Sequence, residues 1–329
     1  MQIYGIDLAM EKFDVNFVNK NKEEKHLVVS NKLSAIVKFL NKIPKGAIIC
    51  AEHTGVYGNL LLFLCNQLNI PISLNPGYNI KHSLGLLKGK SDKLDAKRIR
   101  EYGERFFDKL VLTKYEPETL IELNELYILR AQFIKQKRML TSHVKAKKHN
   151  PYNSISAQNQ AAKVMATFDE SIKKLEKDML LLIESDKHLK YSFDLSTSVT
   201  GIGPITTSEL IIKTGNFKKI NTSKKAASFA GVCPFPNSTG KMVKKDRVSK
   251  MSDKSLKTLL HLCARSAVLY NKEFRLYYQK KQLEGKHHFV IMNNVSNKLL
   301  RMIYSIIESG IPYDPNYVCI DPRNREKVV

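Results

Sequence analysis

Four acidic residues stand where carboxylates could bind a divalent metal ion. Asp7 lies within the strand-like run YGIDLA, and Glu52 follows the apolar run AIICA. Asp92 and Asp95 lie three residues apart in GKSDKLDAKR, a spacing that puts both side chains on one face of a helix. Mg²⁺ prefers oxygen ligands, and metal-assisted phosphoryl transfer uses several carboxylates that converge from separate elements. Together the four residues predict a Mg²⁺ site.

Each of these carboxylates also has a purely structural interpretation. Asp92 could be the N-cap of its helix, and Asp95 could form an ion pair with a lysine or arginine on that helix. Asp7 and Glu52 are harder to explain in this way, because a charge at a buried strand position is costly unless it is used. The set as a whole therefore favours metal binding.

The composition indicates a polyanionic partner. The 329 residues include 54 Lys and Arg against 31 Asp and Glu, a formal net charge of +23, and the largest share of the excess lies after residue 190. Such an excess is typical of proteins that bind nucleic acid. A solvated basic surface is the alternative. Hydrophobic residues make up 43% of the chain, which is enough for real cores and excludes a disordered protein.

Two segments contain candidate contacts to nucleic-acid phosphates. Gly201-Ile202-Gly203-Pro204 stands directly before a helical segment, the pattern of a helix-hairpin-helix turn whose amides face a phosphate. A tight turn between two helices has the same pattern. Residues 240–257 contain seven basic and two acidic residues, which predicts a basic loop along the phosphates. The predicted nucleic-acid contacts are Gly201, Gly203, Lys241, Lys244, Lys245, Arg247 and Lys250.

The pattern of elements predicts an α/β part followed by helical parts. Residues 1–116 contain three antiparallel-type strands and then alternating strands and helices, which resembles a ribonuclease-H-like sheet. Residues 117–190 predict two long helices, and the apolar residues from Ala161 to Leu182 follow a coiled-coil rhythm. Residues 191–329 are helical and punctuated by glycine. The fold class is therefore α/β plus all-α.

The helical arm at 117–190 has two interpretations. An apolar seam on two long helices exposes surface unless a partner covers it, so we expect the arm to form a dimer or a tetramer. The alternative is a hairpin that packs only on its own chain.

Several protein classes are disfavoured. The five cysteines contain no Cys-x-x-Cys pair, which argues against a disulfide framework and a zinc knuckle. No run approaches 18 apolar residues, and the first residues show no signal-peptide pattern. We expect a reduced, cytoplasmic, nucleoid-associated bacterial protein that makes no membrane contact.

Two sets of motifs resemble one known family. YGIDLA, AEHTGVYG, LNP and GKSDKLDAKRI are similar to the Asp-Glu-Asp-Asp motifs of the insertion-sequence one-ten transposases, a family that includes the Piv-type DNA invertases. VTGIGPITTSELI, FAGVCPFPNSTGK and RVSKMSDKSLKTLLHLCARSA resemble the second transposase domain of that family. The likeness runs from about residue 3 to about residue 310.

The resemblance implies a DNA recombinase of three parts. A RuvC-like domain at 1–116 would hold Mg²⁺ on the four acidic residues, followed by a coiled-coil arm at 117–190 and a serine transposase domain at 191–329. The family's serine attacks a DNA phosphodiester and leaves a transient phosphoserine link. Bacterial members are guided by a structured bridge RNA that pairs with target and donor DNA. They act as oligomers in which the acids of one subunit meet the serine of another.

The resemblance also points to the nucleophile, with one departure. Family members have Ser-Gly or Ser-Ser-Gly in this loop, whereas this chain has Ser238-Thr239-Gly240. Either Ser238 or Thr239 could align with the family's serine. We favour Ser238, because a primary hydroxyl attacks phosphorus with less crowding than a β-branched one. Taken alone, a serine in such a loop is more often a turn residue.

Two other functions fit the same residues. A structure-selective RuvC-like nuclease would hydrolyse DNA with water, and the Ser238 loop would only bind. A catalytically inactive relative would bind nucleic acid without cleaving it, and Thr239 would then be a sign of lost catalysis.

Overall fold

The computed structural model describes residues 2–315 apart from positions 84, 86–88, 90, 148, 151, 153, 240 and 241. For residues 239 and 242–246 it describes the backbone only. The chain divides into two compact units, Met1–Glu116 and Pro117–Val329. No helix within these described ranges is long and apolar enough to cross a membrane.

The first unit is built on a five-stranded mixed sheet. The strands lie in the order β3-β2-β1-β4-β5, in which β1, β2 and β3 are antiparallel while β4 and β5 run parallel to β1. This confirms the predicted α/β fold, and the order is consistent with a ribonuclease-H-like sheet. The strands are β1 (Ile3–Leu8), β2 (Lys12–Val18), β3 (Glu24–Ser30), β4 (Ile48–Glu52) and β5 (Ile72–Asn75). The helices are α1 (Leu33–Leu40), α2 (Asn59–Gln67), α3 (Gly77–Ser83) and α4 (Asp92–Arg105), with 3-10 turns at Gly55–Gly58 and Phe107–Lys109.

The two faces of this sheet differ in chemistry because side chains alternate along each strand. Tyr4 and Ile6 face an apolar core with Ile36 and Phe39 of α1 and Leu61 of α2. The opposite face lies under α4, where Ile3 and Cys50 pack with Ile99 of that helix, while Asp14 and Asn16 of β2 supply buried polar groups. Burial of the apolar face therefore fixes the strand register and turns the polar residues toward α4.

Gly5 allows α4 to lie directly on β1. A Cβ at this position would stand 2.3 Å from both the Ala96 carbonyl oxygen and the Arg100 amide nitrogen. No side chain fits in that space, so the helix backbone rests against the strand. The first turn of α4 is thereby held beside the end of β1.

The second unit begins with a helical hairpin. Helices α5 (Glu118–Lys147) and α6 (Ile155–Ser185) pack side by side in opposite directions. The ring centroids of Phe133 and Phe168 lie 5.7 Å apart, and Arg130 Nε donates to Glu176 Oε1 at 2.7 Å. The apolar seam predicted on α6 therefore packs against α5 of the same chain. Whether the arm also pairs with a second chain stays a prediction.

The core of the second unit is centred on one helix. Helices α7 (Lys187–Thr197), α9 (Ser223–Phe229), α10 (Lys254–Tyr270) and α11 (Lys272–Leu283) pack against α12 (His288–Ser309), and α8 (Pro204–Thr214) packs against α7 and α10. Ile291, Val295, Leu299 and Ile303 recur every four residues along α12 and are fully buried. The base of the arm belongs to the same core, which includes Leu123 of α5 and Met179 of α6.

A β-hairpin interrupts the helices of this unit and corrects part of the prediction. Residues 234–248, predicted as a loop running into a basic loop, form the antiparallel strands β6 (Pro234–Thr239) and β7 (Met242–Val248). The two prolines of β6 favoured a loop because proline cannot donate to a sheet. A two-stranded sheet has only edge strands, however, and edges tolerate proline.

Candidate active site

Asp7 and Glu52 lie at neighbouring ends of two parallel strands. Ile6 of β1 pairs with Ala51 of β4, so the two acidic residues follow adjacent paired positions. Asp7 points away from the apolar core, on the side that α4 covers. The sheet thus brings together two of the four predicted ligands.

The other two predicted ligands lie in the first turn of α4. Ser91 is the N-cap of this helix, and its hydroxyl accepts from the Leu94 amide at 3.3 Å. Asp92 is therefore not the cap, and its side chain is 64% exposed. Because α4 rests on β1, its acidic first turn lies at the same end of the sheet as Asp7.

The carboxylates act on one another electrostatically. The pKa of Asp7 is raised from 3.8 to about 6, first by burial and then by the negative charges of Asp95, Glu52 and Asp92. Asp14 adds a smaller contribution of the same sign. All four predicted ligands therefore belong to one acidic cluster, and a bound cation would relieve the repulsion within it.

Two basic side chains neutralise part of this cluster. Arg98 donates to Asp95 at 2.9 Å, which is the ion pair that the structural interpretation of Asp95 expects. Lys12 Nζ lies 3.3 Å from Asp92 Oδ2 and 3.5 Å from Asp14 Oδ2. Lys12 thus bridges strand β2 and helix α4 at the cluster.

The oxygen donors suit a hard cation such as Mg²⁺, although their present arrangement is open. Within the described residues, no group of three or more His, Cys, Asp or Glu side chains has the geometry to hold a metal ion. Asp92 and Asp95 would have to leave Lys12 and Arg98 to act as ligands. The chemistry of the donor set fits the ion, and ligation by these residues stays a prediction.

Glu52 is packed against the start of α3. A Cβ at Gly77 would stand 2.1 Å from Glu52 Oε1, so any larger residue at position 77 would displace the carboxylate. Gly77 begins α3, and only Pro76 separates it from the end of β5. This contact limits the positions that the Glu52 carboxylate can adopt at the end of β4.

Ser238 lies in the second unit, on β6. Its side chain is exposed, and its Cα is paired with that of Val243 on β7. Arg247 and Lys250, both predicted nucleic-acid contacts, are also exposed. Lys244 and Lys245 lie on β7, and the structure describes only their backbone, while Gly240 and Lys241 fall outside the described residues.

The glycines before α8 have different surroundings. Gly201 has φ +97°, and a Cβ there would stand 2.8 Å from the Ala267 amide and 2.9 Å from the Cys263 carbonyl. It is therefore required for close packing of the turn on α10. Gly203 is the N-cap of α8, with open space around its Cα. Contact of either glycine with a phosphate stays a prediction.

Two family models match this chain in the predicted order. A transposase model for the DEDD domain of the IS110 family matches residues 4–147, and a model described as transposase IS116/IS110/IS902 family matches residues 194–279. The chain belongs to the IS110 family of transposases. The insertion-sequence one-ten resemblance of the motifs is thereby confirmed.

The relatives of this IS110-family transposase that align along nearly their whole length include gene-inverting proteins. It is 24% identical over 320 residues to the pilin gene-inverting proteins of Moraxella lacunata and Moraxella bovis, covering 94% of this chain and 97% of each relative. It is 33% identical over 121 residues to the transposase for insertion sequence element IS1328 of Yersinia enterocolitica, covering 34% of this chain and 35% of that protein.

The transposase has polar residues at the acidic cluster that sequence reasoning missed. Asp14 is only 4% exposed, pairs with Asp7 in the β1–β2 ladder, and lies 2.6 Å from His26 Nε2. Asn16 accepts from Arg100 Nε at 2.7 Å and thereby ties β2 to α4. The signal was the alternation in KFDVNFV, where the aromatic and valine residues alternate with Asp14 and Asn16.

Proposed function

We propose that this chain is a Mg²⁺-dependent DNA recombinase that cleaves and rejoins DNA strands through a serine–DNA intermediate. The observation that carries the proposal is the crowding of carboxylates around Asp7, whose pKa is raised to about 6. A cluster of like charges is unfavourable for stability alone and is typical of a site that binds a cation. The DNA-inverting relatives support DNA as the substrate.

Asp7, Glu52, Asp92 and Asp95 would hold Mg²⁺, which when bound supplies polarisation of a phosphodiester and neutralises developing charge. Asp7 and Glu52 come from the rigid sheet and define the position of the site. Asp92 and Asp95 come from one helical turn and would exchange their ion pairs for the metal. Asn16 would act as a positioning residue, because it anchors α4 through Arg100.

Ser238 would be the nucleophile. Attack of its Oγ on phosphorus forms a phosphoserine ester and breaks the bond between phosphorus and a sugar oxygen, which leaves as a hydroxyl with the proton from Ser238. Its exposure on β6 supports access to DNA, and the exposed Arg247 and Lys250 support a phosphate nearby. The rejoining step is the reverse reaction with another sugar hydroxyl.

The bridge RNA and the oligomer rest on the family resemblance. The high basic charge of the chain is compatible with binding RNA in addition to DNA. The arm still exposes apolar side chains after its own helices have paired, such as Ile128 at 50% and Leu181 at 53%. These support a dimer or tetramer formed through the arm.

Cleavage of a labelled DNA substrate in the presence of guide RNA tests the role of the cluster. Wild-type protein should cleave only when Mg²⁺ is present, and Asp7→Asn should lose cleavage while its affinity for DNA is retained. Glu11→Gln is the matched control, because Glu11 is an exposed acid near Asp7 in sequence that is outside the cluster. Unchanged cleavage by Asp7→Asn would exclude the proposed site, and absence of any cleavage by wild type would favour an inactive nucleic-acid-binding relative.

A further inference from the structure

A groove in the second unit, between α11 and α12, has no assigned role. It has a volume of about 620 Å³, within the range of small-ligand sites. One wall is apolar and the other basic. Its lining residues are Glu273, Phe274, Leu276, Tyr277, Lys298, Arg301 and Met302.

The basic wall presents two uncompensated cations. Lys298 and Arg301 lie three residues apart on α12, so both side chains point to the same face of the helix. Both are exposed, and among the described residues neither forms an ion pair with a carboxylate. Glu273 is the one acidic residue of the lining, so the groove favours an anion.

Tyr277 holds one of these cations in position. Lys298 Nζ lies over the Tyr277 ring, 4.7 Å from its centroid, and Lys281 Nζ lies 6.0 Å from the same centroid. Such cation–π contacts restrict a flexible lysine without neutralising its charge. Lys298 is therefore positioned for an anionic ligand before that ligand arrives.

The apolar wall indicates that the ligand has an apolar group in addition to its anionic group. Leu276 is 55% exposed at the groove although its neighbour Phe274 is buried in the core. Met302 is half-buried and adds a polarisable surface. A simple anion would leave this wall uncovered, whereas a nucleotide has both a phosphate and a flat base.

We propose that the groove binds an unpaired nucleotide of a single-stranded nucleic acid. Its phosphate lies at Lys298 and Arg301, and its base covers Leu276 and Met302. A duplex does not fit, because its bases are stacked and paired and cannot enter a groove of this size. The site goes beyond the proposed strand cleavage, since it uses none of the acidic cluster and not Ser238.

Fluorescence anisotropy with the full-length protein tests this site. The probes are labelled oligothymidylate, the same strand with abasic positions, the RNA equivalent and a duplex of equal length. Lys298→Ala should weaken single-strand binding roughly fivefold, since it removes one phosphate contact. Leu276→Ala should weaken binding to the oligothymidylate and not to the abasic strand. The DNA and RNA arms decide which strand the groove prefers.

Lys280→Ala is the matched control, because Lys280 is an exposed cation on α11 outside the groove. Its effect should be less than twofold. Equal losses in Lys280→Ala and Lys298→Ala would overturn the proposal, since they would indicate general charge attraction. Equal affinity of wild type for abasic and intact strands would also overturn it. Binding is measured without cleavage, so failure here is distinct from failure of the proposed recombinase chemistry.

Discussion

Asp14 lies directly opposite Asp7 in the antiparallel ladder between β1 and β2. Opposite residues on such strands present their side chains to the same face of the sheet. Two acids are thus paired across this face, and they differ in their basic neighbours. His26 and Lys12 contact Asp14, whereas a cation at the proposed metal site would neutralise Asp7.

The first prediction concerns pH and stability. The pKa of Asp7 is raised from 3.8 to about 6, so the folded state binds a proton more tightly than the unfolded state. Without metal, the contribution of Asp7 to the free energy of unfolding falls as pH rises from about 4 through about 6. Above that range the stabilisation from its bound proton is lost completely. Asp7→Asn should therefore stabilise the metal-free protein at pH 7.5 by about 1 to 2 kcal/mol.

Thermal unfolding in chelator at pH 4 and pH 7.5 measures this effect. The stability that Asp7→Asn gains over wild type should vanish at pH 4, where the wild-type carboxyl is protonated in the folded state. Adding Mg²⁺ at pH 7.5 should stabilise wild type and leave Asp7→Asn nearly unchanged. A variant that is less stable than wild type at pH 7.5 would show that Asp7 is not under repulsion.

The second prediction concerns Lys12 as an internal counter-ion. Its ammonium group lies 3.3 Å from Asp92 and 3.5 Å from Asp14, where it competes with a divalent cation for the cluster. Lys12→Met should therefore raise the affinity for Mg²⁺ or Mn²⁺ severalfold, as measured by titration calorimetry. Lys25→Met is the control, because Lys25 pairs with Glu23 at 2.9 Å away from the cluster. Weaker metal binding in Lys12→Met would mean that Lys12 instead organises the ligands.

The third prediction concerns the contact between α4 and β1. Gly5→Ala would place a methyl group 2.3 Å from backbone atoms of Ala96 and Arg100, which cannot move without shifting the helix. The variant should lose about 3 kcal/mol of stability or more, and its metal affinity should fall because Asp92 and Asp95 move with α4. Gly58→Ala should cost much less, because its nearest neighbour, Leu8 Cδ1 at 3.1 Å, is the end of a flexible side chain. Similar melting temperatures for the two variants would contradict this account.

The fourth prediction concerns the helical arm. Phe168 packs on Phe133 within the chain, so a charge at Phe168 would destabilise the hairpin whether or not the protein oligomerises. Leu181 is 53% exposed on α6 and is the better probe. Leu181→Glu should leave the melting temperature unchanged and convert the oligomer to a monomer in light scattering. Leu283→Glu, at a position 90% exposed on α11, is the control that should not change assembly. A wild-type monomer would show that the arm is structural.

The sequence predicted the elements of the first unit well because each is encoded locally. Alternation in IYGIDL and the apolar run IICA predict strands. The proximity of Asp7 and Glu52 then follows from the parallel pairing of β1 and β4. Contacts between distant segments were beyond such reasoning. The bridge from Lys12 to Asp92 depends on how α4 crosses the sheet, a relation that neither segment encodes alone.

The hairpin at 234–248 shows a second limit of sequence reasoning. Pro234 and Pro236 made the strand β6 hard to predict, although the alternation around Val243 and the glycine at 240 are typical of a hairpin.

The apolar seam of α6 shows a third limit of sequence reasoning. Its rhythm correctly predicts a partner helix, but a pattern of this kind does not distinguish α5 of the same chain from a helix of another chain.

Ser238 should form a covalent bond with DNA under the control of the acidic cluster. The most direct measurement is a denaturing gel of protein incubated with labelled DNA, guide RNA and Mg²⁺, in which label retained on the protein reports the phosphoserine link. Label should be retained by wild type and Thr239→Ala, and lost in Ser238→Ala and Asp7→Asn. Label retained in Ser238→Ala and lost in Thr239→Ala would show that the attacking hydroxyl belongs to Thr239 and not to Ser238. Cleavage by wild type with no label on the protein would contradict the account and identify a nuclease that uses water.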